Sequence, residues 1–166
     1  VVGESGLGKS TLVKSLLRRY VSEDRVAQFS WTPMAVTSSD RCNDPLFGAR
    51  DFVRESEWQQ QQQQPIVVVE SGGSFVLPSE AANQAIQLSF FNARGYGDAV
   101  DNSNAVEAVH TYLLARHHDF LRRGLCVDST ASDDRIHLCL YFISPHHYKQ
   151  LDAEFLVRCS PLVPII

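Results

Sequence analysis

The strongest chemical signal in this chain is a glycine-rich stretch near its beginning. Residues 3–10 read Gly-Glu-Ser-Gly-Leu-Gly-Lys-Ser, which matches the phosphate-binding pattern GxxxxGK(S/T). Glycines allow the backbone to wrap closely around an anion and to turn its N–H groups inward. In this pattern Lys9 bridges the β- and γ-phosphates of a nucleotide, and the hydroxyl of Ser10 ligates Mg²⁺. The spacing therefore predicts nucleotide binding.

The residues that flank the loop are the ones this motif requires. Two valines precede it, as at the end of a strand, and Leu12, Leu16 and Leu17 follow it at helical spacing. The N-terminus of such a helix presents partial positive charge to phosphates. We therefore predict a nucleotide-binding set with Ser10 as its metal ligand. Its members in the loop and the first helical turn are Gly3, Glu4, Ser5, Gly6, Leu7, Gly8, Lys9, Ser10 and Thr11.

The remaining sequence supplies the elements that must position this loop. Apolar or β-branched runs predict strands at 66–69, 75–77, 86–91 and 136–143, with a further buried strand beginning in 162–166. Apolar residues at helical spacing predict helices at 104–123 and 149–159. Gly72-Gly73, between the first two runs, predicts a hairpin turn. The run 136–143 is nearly continuous apolar sequence, which is typical of a strand buried on both faces.

This alternation predicts the fold class and a single domain. Strands separated by helices indicate an α/β fold, a three-layer P-loop NTPase sandwich whose mostly parallel sheet has helices on both faces. Residues 21–64 lack a pattern and include the glutamine run 59–64, so we predict a mobile insertion there. The chain starts at Val1 and ends in an apolar run. We expect it to be a piece of a longer protein, with the sheet incomplete at its C-terminal side.

Composition excludes several classes of protein. With 15 basic and 19 acidic residues the net charge is −4, so we expect no nucleic-acid partner. No run approaches the roughly 20 apolar residues that span a bilayer. The 4 cysteines are widely spaced without a CxxC pair, which predicts reduced thiols in an intracellular protein.

Four stretches resemble the motifs of septins, the filament-forming GTPases. They are GESGLGKSTL at 3–12, GYGDAVDNSN at 95–104, LCLYFISP at 138–145 and KQLD at 149–152. The second is far more specific than a phosphate-binding loop alone. The resemblance implies a partial septin-type G domain over residues 1–166, and it adds the N–H of Gly95 as a contact to the γ-phosphate.

The same resemblance implies a cellular role. Septins bind GTP or GDP with Mg²⁺, and they pair with other septin subunits into homo- or hetero-filaments. The expected location is the cytoplasmic cytoskeleton, at a septin ring or division site. Contact with membranes would involve segments outside this fragment.

Two departures from the family pattern concern catalysis. Asn92 stands where the family motif DTPG has the aspartate that holds the hydration shell of Mg²⁺, and a neutral amide weakens that charge complement. Ile66 stands where active septins carry a threonine, although Thr32 and Thr37 are alternatives from the preceding segment. The enzymatic activity is therefore left open.

The resulting hypothesis is a GTP-binding domain that supports filament assembly, with hydrolysis weak or lost. An active, slow septin GTPase is the first alternative. A P-loop ATPase of another family is the second, because the family's guanine-reading motif AKAD would lie beyond Ile166. Nearby charged residues are interpreted as ordinary loop, capping or solvated groups: Arg94, Asp98, Asp101, His146 and His147.

Overall fold

The computed structural model describes residues 1–34, 67–78, 85–125 and 133–166. Its helices are α1 (Lys9–Leu17), α2 (Glu23–Ala27), α3 (Ala105–Leu125) and α4 (Gln150–Cys159). Its strands are β1 (Val2–Gly3), β2 (Thr32–Pro33), β3 (Val68–Pro78), β4 (Ala85–Arg94) and β5 (Tyr141–Phe142). The predicted helices at 104–123 and 149–159 are confirmed, with ends that differ by at most 2 residues.

The glycine-rich loop leaves the sheet from a short central strand. Strand β1 pairs in parallel with β5, so that Val2 lies opposite Tyr141. On the far side of β5, Cys139 forms a parallel bridge with Ile165. On the other side of β1, the backbone of Val1 hydrogen-bonds to β4. The loop therefore begins at the carboxyl end of a strand that has neighbours on both sides.

Strands β1 and β5 form a two-stranded parallel sheet, and the remaining strands form a three-stranded antiparallel sheet in the order β2-β3-β4. The predicted hairpin turn at Gly72-Gly73 is wrong, because both glycines lie inside the continuous strand β3. They fall at a register shift between Ser71 and Ser74, where the positive φ of Gly73 (82°) accommodates a bulge. Strand β3 pairs instead with β4 along its length.

Helices cover both faces of these strands, which confirms the three-layer α/β prediction. On one face, aromatic residues of β3 and β4 pack with α1 and α2, in a cluster of Val13, Leu17, Val26, Phe29, Phe75 and Phe90. On the other face, β1 and β4 pack against α3 and α4, in a cluster that includes Val2, Ala93, Val106, Val109, Leu113, Phe155 and Cys159. The two faces alternate along β4, as the period of a strand requires.

Three predicted segments differ in the structure. In 136–143 only Tyr141–Phe142 form a strand, and Leu138 and Ile143 are 47% and 43% exposed, so burial on both faces is wrong. In 162–166 the predicted start of a strand is limited to a parallel bridge at Ile165, where backbone hydrogen bonds join Pro164 and Ile166 to residues 139–141. The mobile insertion was predicted for residues 21–64, and α2 and β2 lie in the first part of this segment. Its remainder, with the glutamine run, lies outside the described residues.

Candidate phosphate-binding site

The loop between β1 and α1 has the backbone shape that an anion site needs. Gly6 and Gly8 have φ angles of 82° and 81°, a left-handed conformation that other residues rarely adopt. Helix α1 begins at Lys9 without a side-chain cap. The N–H groups of its first turn have no partner within the helix, so they are available to an anion.

The ammonium group of Lys9 is fixed across this loop. Its Nζ donates to the carbonyl oxygens of Gly3, at 2.7 Å, and Glu4, at 2.5 Å. Burial lowers the pKa of Lys9, while the carboxylates of Asp98 and Glu4 oppose that shift. A cation that is partly desolvated and held in one place interacts with phosphate oxygens more strongly than one on a mobile surface chain.

Two neighbouring segments hold the loop from outside. The carboxylate of Asp98 accepts a hydrogen bond of 2.7 Å from the backbone N–H of Ser5. Glu4 pairs with Lys149, the residue before α4. A Cβ at Gly97 would lie 2.9 Å from Cγ of Glu4, so glycine leaves the room that the glutamate needs. Asp98 is therefore more than an ordinary loop residue, since it contacts the phosphate-binding loop directly.

The start of α4 is supported from the core. Asp152 is buried, and its carboxylate accepts hydrogen bonds from the hydroxyl of Tyr141, at 2.6 Å, and the backbone N–H of Lys149, at 2.7 Å. The rings of Tyr141 and Phe155 stack at 4.4 Å, and Tyr96 packs edge-on against both. These contacts position Lys149 against Glu4.

The predicted metal ligand, Ser10, has a partner that sequence reasoning missed. The indole Nε1–H of Trp31 donates a 2.7 Å hydrogen bond to the Ser10 hydroxyl. Trp31 lies just before β2, and its ring packs edge-on against Phe29 at 4.9 Å. No pattern in the sequence predicts the contact between Trp31 and Ser10, because this contact forms only when β2 pairs with β3.

Asn92 is also engaged by a residue that sequence reasoning missed. Its side-chain amide donates at 3.1 Å to Glu70, which lies directly opposite on β3. The other oxygen of Glu70 pairs with Arg94 at 3.2 Å. Asn92 and Glu70 are 6% and 4% exposed, whereas the side chain of Arg94 is 71% exposed. Arg94 is therefore solvated, as predicted, and at the same time neutralises a buried carboxylate.

These residues suit phosphates better than Mg²⁺. A magnesium ion prefers oxygen ligands that carry negative charge. Here the hydroxyl of Ser10 already accepts a hydrogen bond, and both oxygens of Glu70 are engaged. The Oδ1 of Asn92 has no hydrogen-bond partner among the described residues, but it is neutral. Within the same residues, no group of three His, Cys, Asp or Glu side chains could hold a metal.

The remaining predicted residues fall in three places. Gly95 directly follows β4, at the same end of the strands from which the loop departs. The hydroxyl of Thr32 donates to the backbone of Ser71 at 3.1 Å, so it serves sheet pairing. Ile66 and Thr37 lie outside the described residues. His146 and His147 are exposed, as expected of solvated residues.

Comparison with a solved structure supports the fold. The septin GTPase domain from Chlamydomonas reinhardtii superposes with a TM-score of 0.58 at 19% sequence identity. The match covers 99% of this chain and 49% of that chain. Together with the loop geometry, the match assigns the P-loop NTPase α/β fold.

Comparison of sequences then assigns the family. The family model for septins matches residues 1–166, and the chain belongs to the septin family. Neuronal-specific septin-3 from Danio rerio is 30% identical over 170 residues, and septin-1 from Drosophila melanogaster is 32% identical over 169 residues. Both alignments cover 100% of this chain but only 38% of the relative's length.

Among the described residues, no helix has the length and apolar character to cross a membrane.

Proposed function

We propose that this chain binds GTP or GDP at the loop 3–10, and that the nucleotide serves as a structural cofactor for assembly with other septin-like subunits. The observation that carries the proposal is the loop itself. Its left-handed glycines, the uncapped start of α1 and the ammonium of Lys9, which carbonyl oxygens of the loop hold in place, support the proposal of a phosphate site. Preference for guanine is inferred from membership of the septin family.

Hydrolysis is weak or absent in this proposal. A GTPase must orient a water molecule and neutralise the charge that develops on the γ-phosphate. Asn92 supplies no charge, and the buried carboxylate of Glu70 beside it is paired with Arg94. The hydroxyl of Thr32 is directed to the backbone of β3. These contacts leave the described part of the site with binding groups but without a water-orienting group.

Assembly is the activity that such a domain can still perform. A ligand that binds only the folded state stabilises that state by mass action, without being consumed. Nucleotide would thereby hold the loop and the segments that contact it in one arrangement. We propose other septin-like subunits as partners and the cytoskeleton of the cytoplasm, including division sites, as the location.

Nucleotide competition tests the base preference. The intact protein is loaded with fluorescent GDP, and unlabelled GTP, GDP, ATP and ADP are titrated against it. We expect both guanine nucleotides to displace the probe at far lower concentration than either adenine nucleotide. Equal displacement by ATP would favour the P-loop ATPase alternative.

A time course of phosphate release tests hydrolysis. We expect release from GTP to stay at the background set by the Lys9→Ala variant, at every magnesium concentration. Fast release that requires magnesium would identify this domain as a working septin GTPase.

A further inference from the structure

We propose that Trp31 holds the hydroxyl of Ser10 in a hydrogen bond and thereby opposes coordination of magnesium by this oxygen of the phosphate-binding loop. The inference rests on the proposed function, and it goes further by naming the residue that sets the metal dependence of nucleotide binding. The hydrogen bond from the Trp31 indole to the Ser10 oxygen is 2.7 Å long.

The chemistry of the two groups explains why this contact opposes a cation. An indole N–H can only donate, whereas a serine hydroxyl has one proton and two acceptor sites. The donor places the positive end of its dipole against one acceptor site of Ser10. A metal ion that approached the remaining acceptor site of the same oxygen would be repelled by that positive end at short range. Coordination of the metal by Ser10 is therefore weaker while Trp31 stays in place.

The packing around Trp31 opposes its departure from this contact. Its ring contacts Phe29 edge-on at 4.9 Å, and Phe29 belongs to the core beneath α1. Both rings also pack directly on the β3 bulge. A Cβ at Gly72 would lie 2.6 Å from Cε2 of Phe29 and 2.8 Å from Cζ3 of Trp31. Because aromatic pairs of this kind contribute free energy beyond their buried area, the indole is held in place by its neighbours.

The carboxylates nearest the loop already have partners, because Asp98 accepts a hydrogen bond from the N–H of Ser5 and Glu4 pairs with Lys149. The buried carboxylate of Glu70 is shared between the amide of Asn92 and the guanidinium of Arg94. Lys9, the adjacent cation, contacts backbone carbonyls of the loop. Phosphate charge is thus met by Lys9 and by backbone N–H groups, which need no metal.

The first experiment tests the contact without nucleotide. The indole N–H resonance of Trp31 is assigned in the intact protein with the variant Trp31→Phe, which keeps the aromatic packing. Ser10→Ala should shift this resonance and speed its exchange with water. Ser15→Ala, an exposed serine further along α1, should do neither. A resonance that is indifferent to Ser10→Ala would overturn the inference.

The second experiment measures GDP affinity by calorimetry, in magnesium and in EDTA. Wild type should bind equally well in both. Trp31→Phe should bind about fivefold more tightly in magnesium than in EDTA, the factor expected from freeing one hydrogen-bonded ligand. Adding Ser10→Ala to Trp31→Phe should abolish that gain, and Trp58→Phe, which removes the other tryptophan, should not create one.

The outcomes separate the two proposals. Strong magnesium dependence in wild type, or none in Trp31→Phe, would overturn the role of Trp31 while leaving nucleotide binding intact. Failure of every variant to bind GDP would overturn the proposed function, and the indole resonance would still decide whether Trp31 holds Ser10.

Discussion

We propose Lys9 as the side chain on which nucleotide affinity depends most directly. Its ammonium group is held at the loop by two carbonyl oxygens and is partly desolvated there. Charge-assisted contacts of this kind contribute about 1.5–3 kcal/mol. We expect Lys9→Ala to weaken GDP binding at least about tenfold by calorimetry, and Lys14→Ala on the same helix to have little effect. Unchanged affinity in Lys9→Ala would contradict the assignment of the site.

A substitution at Asn92 can turn its attractive contact with Glu70 into a repulsive one. The substitution Asn92→Asp would place a second carboxylate against Glu70 in a buried position and would remove the hydrogen bond between them. Two facing carboxylates raise each other's pKa, so their repulsion is present at neutral pH and is relieved as the pH falls. We expect the free energy of unfolding to drop by about 1–3 kcal/mol at pH 7.

Chemical denaturation at pH 7 and pH 5 measures this effect. The variant should recover part of its lost stability at pH 5, and Mg²⁺ should stabilise the variant more than wild type. The exposed Asn104 offers a matched control, because Asn104→Asp creates no buried charge. A variant that is as stable as wild type at pH 7 would show that Asn92 does not face Glu70.

Some residues of the candidate site can be named from the sequence, and others are recognised only in the structure. The sequence alone names Lys9 and Ser10 as candidates, because the loop motif is contiguous and its flanking residues fit a strand and a helix. Glu70 and Trp31 are not, since each reaches the site through strand pairing between segments that are distant in sequence. Their positions depend on register, and register is decided by tertiary packing.

At the scale of elements, the bulge of β3 joins the core to the site. Gly72 has no side chain, which allows Phe29 and Trp31 to pack directly on the strand. We expect Gly72→Ala to lower the free energy of unfolding by about 1–3 kcal/mol, because the added methyl overpacks this contact. Gly124, within α3, has open space around its Cβ position, so Gly124→Ala should be neutral or stabilise by up to about 1 kcal/mol. Thermal denaturation that ranks the two variants the other way would contradict the packing.

The same bulge shows where a local pattern misleads. Two glycines between β-branched runs predict a hairpin, yet Gly72 and Gly73 serve a close ring contact and a positive φ within one strand. The helices α3 and α4 were predictable because their apolar spacing extends over 21 and 10 residues. In 136–143, continuous apolar sequence predicted a longer and more deeply buried strand than the structure has.

At the scale of the whole molecule, buried thiols report on the integrity of the fold. Cys139 and Cys159 lie in the core between the sheet and helices α3 and α4. Burial raises the pKa of both thiols, that of Cys159 to about 12. A free thiol ionises near pH 8.5, and only the thiolate reacts with alkylating agents. Both cysteines should therefore stay protonated and unreactive in the folded protein through about pH 9.

Mass spectrometry after treatment with iodoacetamide checks this prediction. Peptides that contain Cys139 or Cys159 should be modified slowly in native buffer and rapidly in denaturant. As the pH rises above about 8.5, the unfolded state loses these protons before the folded state does, so the contribution of the thiols to stability should decline. Rapid native modification at pH 8 would place these cysteines outside the core.

The central claim is that nucleotide is a structural cofactor of the whole domain, bound through its phosphates without a metal. Its most direct test is the free energy of unfolding of the intact protein, measured against GDP concentration in EDTA. Stability should rise with the logarithm of GDP, by about 2.7 kcal/mol at a hundredfold excess over the Kd, and this rise should vanish in Lys9→Ala. Stability that is independent of GDP, or that rises only when magnesium is added, would contradict the account.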